Sequence, residues 1–193
     1  MADSRPEAVL VRHGETEWSR TGKHTGRSDI PLTDSGRRDA EVLRGSLSSR
    51  PFARVFSSPL SRALDTCRLA GLGAAAETRD ELLEWDYGDY EGLTTPEIRE
   101  QRPDWSLWRD GCPGGEGPDD VAARVDRVIA EVQAADGDVA LFAHGHVLRV
   151  LSARWIELGP EYGSRLVLAT ATLSVLGWER ETPAVRLWNA PPG

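Results

Sequence analysis

Two of the four histidines in this 193-residue sequence stand in nearly the same setting, one that suits chemistry. Arg12 and His13 follow the apolar run 8–11, His144 follows the run 138–143, and a glycine comes directly after each histidine. Such runs predict buried strands, and sites in α/β sheets form at the carboxyl ends of strands. Glycine after each histidine lets a ligand approach the backbone. Two strands that end in this way therefore indicate that the histidines share one pocket, rather than that each only caps its strand with a hydrogen bond.

Arginines accompany these histidines. Arg12 precedes His13, and Arg62 lies just past a second predicted strand, in the first turn of a helix that Pro59 opens. A guanidinium at a helix N-terminus is a good anion site, although Arg62 taken alone is more typical of a solvated surface arginine. The chain carries a formal net charge of -8, so binding an anion requires that its cations gather in one cleft.

An acid candidate lies in segment 82–92, where carboxylates alternate with aromatic residues and glycines. An apolar setting favours the protonated form of a carboxyl group, which a proton donor must reach. Composition leaves four candidates open as this acid: Glu84, Asp86, Asp89 and Glu91.

Composition also limits partners and location. The chain lacks the basic excess of a nucleic-acid binder, and Cys67 and Cys112 match no metal-ligand or redox spacing. Residues 1–14 do not resemble a signal peptide, and the apolar-leaning run 166–178 is too short and polar to span a bilayer. We therefore expect a cytoplasmic protein with neither nucleic acid nor membrane as partner; a homodimer stays open.

The elements that position these residues alternate between strand and helix. Segment 14–31 is rich in Gly, Thr, Ser and Asp and predicts a long loop, as does 111–118. The alternation predicts one domain over residues 1–193, an α/β three-layer sandwich with a mostly parallel central sheet and helices on both faces. Strands are predicted at 8–11, 52–57, 138–143, 171–178 and 184–188, and helices from Thr33, from Pro59 to Ala70, over 121–136 and over 146–158.

Together the motifs resemble a known family. They are similar, in order and approximate spacing over residues 9–178, to the signature of the histidine phosphatase superfamily in its phosphoglycerate mutase-like branch. The segments that carry this resemblance are 12–18, 25–26, 31–36, 57–63, 83–92 and 143–146. Segments 84–92 and 108–112 look most similar to the sugar phosphatases that act on sedoheptulose 1,7-bisphosphate. The resemblance implies the phosphoglycerate mutase-like fold.

The resemblance also implies a catalytic role for each main residue. His13 is the nucleophile that accepts the phosphoryl group, and Arg12, Arg62 and His144 bind the phosphoryl oxygens. Glu84 protonates the leaving alkoxide and then takes a proton from the attacking water. Attack requires a neutral imidazole, and neighbouring cations disfavour protonation of His13.

The residues predicted to contact the substrate are Ser19, His24, Thr25, Gly26, Tyr87, Arg109 and Gly145. Ser19 stands where the mutases place an asparagine, so that contact is shorter or lost. Arg109 lies in segment 105–118, a candidate lid, and can reach a second phosphate. Tyr87 and His24 can contact sugar hydroxyls. The alternatives are a surface arginine, a packing tyrosine and a loop histidine.

The predicted function is a metal-independent phosphomonoesterase that acts through a phosphohistidine on a small sugar phosphate or bisphosphate. No cofactor or metal is predicted, because cationic side chains supply the charge and the spacing of His144 and His146 is wrong for a helical zinc pair. The alternatives are a phosphoglycerate mutase and a non-catalytic phospho-ligand binder. The short stretch between Glu84 and His144, where the mutases carry extra residues that cover the pocket, favours hydrolysis.

Overall fold

A six-stranded sheet forms the centre of the computed structural model, which describes residues 5–192. The strands are β1 (Ala8–Arg12), β2 (Arg54–Ser57), β3 (Ala76–Thr78), β4 (Val139–Ala143), β5 (Leu173–Glu179) and β6 (Thr182–Ala190). Their order across the sheet is β3-β2-β4-β1-β5-β6. The pairings among β1 to β4 are parallel, whereas β5 and β6 run antiparallel to their neighbours. The prediction of a mostly parallel sheet is confirmed.

Helices cover both faces of this sheet. They are α1 (Glu17–Thr21), α2 (Asp34–Leu47), α3 (Ser61–Leu69), α4 (Thr95–Gln101), α5 (Leu107–Asp110), α6 (Pro118–Gln133) and α7 (Gly145–Trp155). Side chains alternate along β1, so Val9 and Val11 join the core with α2 and α3, while Ala8 and Leu10 join the core with α6 and α7. This arrangement is the predicted three-layer α/β sandwich.

The strands that carry the two histidines are the most buried part of the sheet. Every residue of β4 is buried, and only Arg12 in β1 is partly exposed. A central strand covered on both faces reads as a continuous apolar run, which is why the sequence located these strands within one residue.

Shorter elements differ from the predictions. The predicted loop 14–31 contains α1, whose start is fixed by reciprocal bonds between Thr16 and Ser19. β3 was not predicted because two of its three residues are exposed and leave no apolar pattern. Helix α7 ends at Trp155 instead of residue 158, since Glu157 adopts a left-handed backbone with φ of 62°.

Residues 1–4 and Gly193 lie outside the described residues. The single-domain prediction for 1–193, and the expectation that residues 1–14 form no signal peptide, therefore extend beyond them and stay predictions. None of the helices within residues 5–192 is long and apolar enough to cross a bilayer.

Candidate active site

The two histidines meet because their strands are neighbours. β1 and β4 pair in parallel with Arg12 opposite Ala143, so the residues that follow both strands leave the same edge of the sheet. The backbone N–H of His13 donates to the carbonyl of Ala143 at 3.0 Å, and the imidazole rings of His13 and His144 lie 5.1 Å apart between centroids. The repeated strand-His-Gly pattern thus produces one cluster.

His13 has the protonation pattern of a nucleophile. Its Nδ1 lies 2.7 Å from the carbonyl oxygen of Gly14. Since a carbonyl only accepts, Nδ1 carries the proton and Nε2 keeps its lone pair. Burial lowers the pKa of His13 well below its usual value, and the charges of Arg12 and Arg62 lower it further. The ring is therefore neutral near neutral pH and borders a cavity.

His144 is bonded differently, through both ring nitrogens. Arg62 Nε donates to its Nδ1 at 3.0 Å, and its Nε2 lies 2.7 Å from Ser58 Oγ. Because a guanidinium can only donate, Nδ1 is the acceptor and Nε2 donates to the serine. The residue is fully buried, and this burial, followed by the charge of Arg62, lowers the pKa of His144 well below its usual value. His144 is held rigidly behind His13.

Arg62 connects this pair to the loop that follows α1. Its guanidinium is fully buried and donates to the carbonyls of Thr25, Gly26 and Ser28 at 2.8–3.1 Å. Burial lowers the pKa of Arg62 from its ordinary value. Glu91 accepts from the N–H groups of Gly26 and Ser28 and fixes the same loop. Thr25 and Gly26, predicted to contact substrate, thus supply carbonyls to Arg62.

Arg12 carries a buried donor with no partner. Its Nη1 donates to the carbonyl of Leu168, whereas its Nε is buried and makes no hydrogen bond among the described residues. Gly145 makes room for this group, since a Cβ atom there would lie 3.3 Å from Arg12 Nε and Cζ. An unsatisfied buried N–H costs free energy, and the positive charge of Arg12, which lines the cavity, suits an anionic ligand.

Glu84 lies at the start of α7. Its carboxylate accepts from the backbone N–H groups of Trp85, His146 and Val147 at 2.8–3.0 Å. Segment 82–92 left four carboxylates open as the acid, and Glu84 alone among them borders the cavity beside His13. The other three carboxylates lie outside the lining of the cavity. Glu91, for example, accepts a hydrogen bond from the loop after α1.

The cavity itself has a volume of about 210 Å³. Ser19 borders it, but its hydroxyl is engaged with Thr16 at the start of α1. The predicted site residues in the lining are Arg12, His13, Ser19, His24, Thr25, Glu84, Tyr87 and Gly145. Arg62, His144 and Gly26 are buried outside the lining.

Comparisons with known proteins agree with this arrangement. The sequence profile of the histidine phosphatase superfamily (branch 1) matches residues 8–191. The chain belongs to this superfamily. This histidine phosphatase is 45% identical over 177 residues to an acid phosphatase of Mycobacterium tuberculosis, covering 89% of this chain and 86% of the relative. It is 38% identical over 192 residues to the sedoheptulose 1,7-bisphosphatase of Saccharomyces cerevisiae, covering 82% and 70%.

Solved structures give the same result. The structure of an open reading frame product of Mycobacterium tuberculosis superposes on this histidine phosphatase with a TM-score of 0.91 at 40% identity, covering 97% of this chain and 99% of that one. The chain is therefore a phosphatase of this superfamily, and the predicted resemblance is confirmed.

One predicted contact of the histidine phosphatase is not brought to the cavity. Arg109 has a side chain that is 64% exposed, pairs with Asp110 at 2.8 Å and borders a separate surface depression. Arg109 therefore lies outside the lining of this cavity, and its contact with a distal phosphate stays a prediction. The lid role of segment 105–118 stays a prediction.

Other residues that line the cavity of this histidine phosphatase were not predicted. They are Gly22, Lys23, Thr95, His146, Arg149 and Leu168. Arg149 follows Gly145 by four positions, which is one helical turn, so the helix period alone places both on one face of α7. His146 Nδ1 lies 2.6 Å from the Tyr87 hydroxyl, and burial raises the pKa of Tyr87 well above its usual value.

Proposed function

We propose that this histidine phosphatase is a phosphomonoesterase that hydrolyses a small sugar phosphate or bisphosphate through a phosphohistidine on His13. One observation carries the proposal: a neutral His13 with an unprotonated Nε2 shares a cavity with Arg12 and Glu84. A nucleophile, an anion-binding donor and a proton carrier in about 210 Å³ suit a small phosphate ester.

In the first step, Nε2 of His13 attacks phosphorus. The N–P bond forms as the P–O bond to the leaving group breaks, and the guanidinium of Arg12 donates to a phosphoryl oxygen. Charge spread over these oxygens in the transition state makes such a donor effective. In its protonated form Glu84 gives a proton to the departing oxygen, so the product leaves as an alcohol and Glu84 is left as a carboxylate.

In the second step, water attacks the phosphohistidine. Glu84, now a carboxylate, takes a proton from this water as the new P–O bond forms and the N–P bond breaks. Inorganic phosphate leaves, and His13 returns to its neutral form because Nδ1 keeps the proton that it donates to the Gly14 carbonyl.

Arg62 and His144 remain predicted ligands of the phosphoryl oxygens. In the unliganded arrangement they bond to each other, to Ser58 and to the carbonyls of the loop after α1. Their support of His13 is therefore a second role beside the one implied by the family. Metal independence is proposed because guanidinium groups supply charge stabilisation where a metal ion otherwise would.

The relatives support the proposed substrate class and a working range that includes mildly acidic pH. A lowered pKa keeps the His13 ring unprotonated in mildly acidic solution, in line with the acid phosphatase relative. The yeast relative named sedoheptulose 1,7-bisphosphatase supports a sugar bisphosphate. The cytoplasmic location and the homodimer stay predictions.

The test is phosphate release from a panel of sedoheptulose and fructose bisphosphates, their monophosphates, 3-phosphoglycerate and a phosphopeptide, with and without EDTA. We expect hydrolysis that survives chelation, with a higher kcat/KM for sugar bisphosphates than for 3-phosphoglycerate or the phosphopeptide. Interconversion of 2- and 3-phosphoglycerate without phosphate release would instead identify a mutase. Activity lost in EDTA and restored by a divalent cation would overturn metal independence.

A further inference from the structure

The carboxyl group of Glu84 has one open hydrogen-bonding position. Its Oε1 accepts from the backbone N–H groups of Trp85 and Val147 at 3.0 and 2.8 Å, and its Oε2 accepts from that of His146 at 2.9 Å. A carboxylate oxygen offers about two lone-pair positions, so Oε1 is filled and Oε2 keeps one. The proton that Glu84 gives to a leaving group therefore sits on Oε2.

Within residues 5–192, the basic side chain closest to this carboxyl group is His146. Its Nδ1 lies 3.9 Å from Oε2 of Glu84, which is beyond hydrogen-bonding distance. In water, an imidazole binds a proton about 100-fold more tightly than a carboxyl group does. An imidazolium at this distance would also stabilise the carboxylate form of Glu84. A ring free to accept a proton here would therefore compete with Glu84 for the proton that the reaction uses.

The hydroxyl of Tyr87 occupies the ring nitrogen in question. It lies 2.6 Å from Nδ1 of His146, and this is the hydroxyl's one hydrogen bond within residues 5–192. Tyr87 is buried, and burial raises its pKa well above the usual value, so the hydroxyl keeps its proton. Because a buried O–H needs an acceptor, it donates to Nδ1 and uses the lone pair that a second proton on the ring would take.

The other groups around His146 act in two directions. Burial lowers the pKa of His146 well below its usual value. Its positive or titratable neighbours lower it further: Arg149 on the same helix, His24 in the loop after α1, and Arg12 at the end of β1. On the opposite side, Glu84 in its carboxylate form favours a charged ring. The Tyr87 hydroxyl adds to the groups that keep the ring neutral.

We propose that Tyr87 and His146 together are positioning residues for the acid Glu84: the Tyr87 hydroxyl occupies Nδ1 of His146 and so leaves the transferable proton on Oε2 of Glu84. The inference rests on the proposed function and adds the residues that set its working pH range. Without the hydroxyl, Nδ1 takes this proton: an N–H bond forms as the O–H bond breaks, and a carboxylate beside an imidazolium remains. A shift of about 1 Å then brings the two atoms into hydrogen-bonding distance.

The experiment compares Tyr87→Phe with the control Tyr90→Phe, which removes a hydroxyl from the same segment outside the cavity lining. For each enzyme, kcat/KM is measured against pH on fructose 1,6-bisphosphate and on nitrophenyl phosphate. The acid form of Glu84 is lost as the pH rises, and a neighbouring imidazolium favours its carboxylate form, so this loss begins at lower pH. In Tyr87→Phe, the alkaline limb for the sugar phosphate should move about 1–3 pH units lower.

The leaving group gives a second readout. On that limb, Tyr87→Phe should lose about 10-fold or more on the sugar phosphate and no more than about 3-fold on the nitrophenyl ester, whose leaving group needs no proton. Tyr90→Phe should keep the wild-type pH profile and the wild-type ratio between the two esters.

A double variant tests whether His146 carries the effect. His146→Asn leaves a neutral side chain beside Glu84, and Tyr87→Phe is then added to it. In this background, Tyr87→Phe should no longer move the alkaline limb. A tyrosine that only contacts the substrate or supports the fold would cause the same loss with and without His146.

Spectra of protein labelled with ¹⁵N-histidine test the pair without substrate, since the signals of His146 are those that disappear in His146→Asn. Near neutral pH they should show a neutral ring with its proton on Nε2 in the wild type and an imidazolium in Tyr87→Phe. A neutral ring in Tyr87→Phe, or a limb that still moves in the double variant, would overturn the inference. If the wild type hydrolyses neither ester, the proposed function fails, and the spectra still decide the protonation of His146.

Discussion

The ends of β1 and β4 have nearly the same sequence and different chemistry. Each strand is an apolar run that leads into a buried histidine followed by glycine. At the β1 end, the Gly14 carbonyl occupies one nitrogen of His13 and leaves the other free. At the β4 end, Arg62 and Ser58 occupy both nitrogens of His144.

The difference shows that the partners of an imidazole, rather than its position in a motif, decide what it can do. A ring with one unprotonated nitrogen beside a cavity can attack phosphorus. A ring with both nitrogens bonded and no exposed surface holds its neighbours in position and has no free nitrogen with which to attack. The two histidines should therefore respond differently to the same mutation.

The largest expected effect is from His13→Ala. We expect kcat/KM to fall on the order of 10⁴-fold or more, because the nucleophile is lost. The melting temperature should change little, since the side chain makes a single hydrogen bond, to the adjacent Gly14. Steady-state kinetics and a thermal melt measure both quantities. Substantial remaining turnover would remove His13 from the role that separates it from His144.

The second effect concerns Glu84, which bonds to the start of the helix that follows His144. Glu84→Gln should slow the hydrolysis of a sugar phosphate about 10²- to 10⁴-fold. The hydrolysis of a nitrophenyl phosphate should slow far less, because nitrophenolate departs without a proton. Comparison of kcat for the two esters measures this contrast. Equal losses would show that Glu84 orients α7 or the phosphate, and the acid would then have to be sought among Asp86, Asp89 and Glu91.

The third effect, from His144→Ala, should combine a moderate loss of activity with a loss of stability. Arg62 Nε and the Ser58 hydroxyl would lose their partner inside the protein, which costs about 2–4 kcal/mol of unfolding free energy. We expect kcat to fall about 10- to 100-fold as Arg62 is released. Denaturant titration and kinetics check both. Ser58→Ala, which removes one of the two contacts, is the milder control.

A reversed pattern between the two histidines would contradict the comparison. If His144→Ala lost activity as completely as His13→Ala while keeping full stability, His144 would act only as a ligand of the phosphoryl oxygens. The supporting role given to it here would then be wrong.

The smallest effect is one that the two histidines share. Burial lowers the pKa of both well below that of the unfolded chain, so the unfolded state binds more protons once the pH falls below about 6.5. Stability is therefore present above this pH and is lost as the pH decreases. As the pH decreases below this value, the unfolding free energy of the wild type should fall by up to about 1.4 kcal/mol per pH unit more than that of either alanine variant. Parallel curves in urea titrations between pH 7 and 5 would show that burial does not change proton binding to these rings.

Much of the fold could be predicted because its central strands are buried on both faces. β1 and β4 appear in the sequence as unbroken apolar runs, and their parallel pairing brings His13 and His144 together. By contrast, β3 pairs along one edge of the sheet through backbone groups that leave no side-chain pattern. The sequence also could not show that Thr16 and Ser19 start a helix inside a glycine-rich loop.

The site was less predictable where it depends on contacts between distant segments. Which nitrogen of His13 is free follows from the turn at Gly14, and the bonds of Arg62 come from a loop more than 30 residues away. Arg149 lines the cavity and Arg109 borders a separate depression, and the packing of their helices decides this difference. The sequence motifs thus identified candidate residues, whereas the hydrogen-bond partners and orientations of those residues depend on tertiary contacts.

The most direct test of the central claim is to trap the phosphorylated enzyme. Wild-type protein mixed with ³²P-labelled sugar phosphate and quenched within milliseconds should carry label that is stable to base and labile to acid, as a phosphohistidine is. Peptide mapping should place it on His13, and His144→Ala should still form it. Phosphate release without a labelled intermediate, or label on any other residue, would contradict the account.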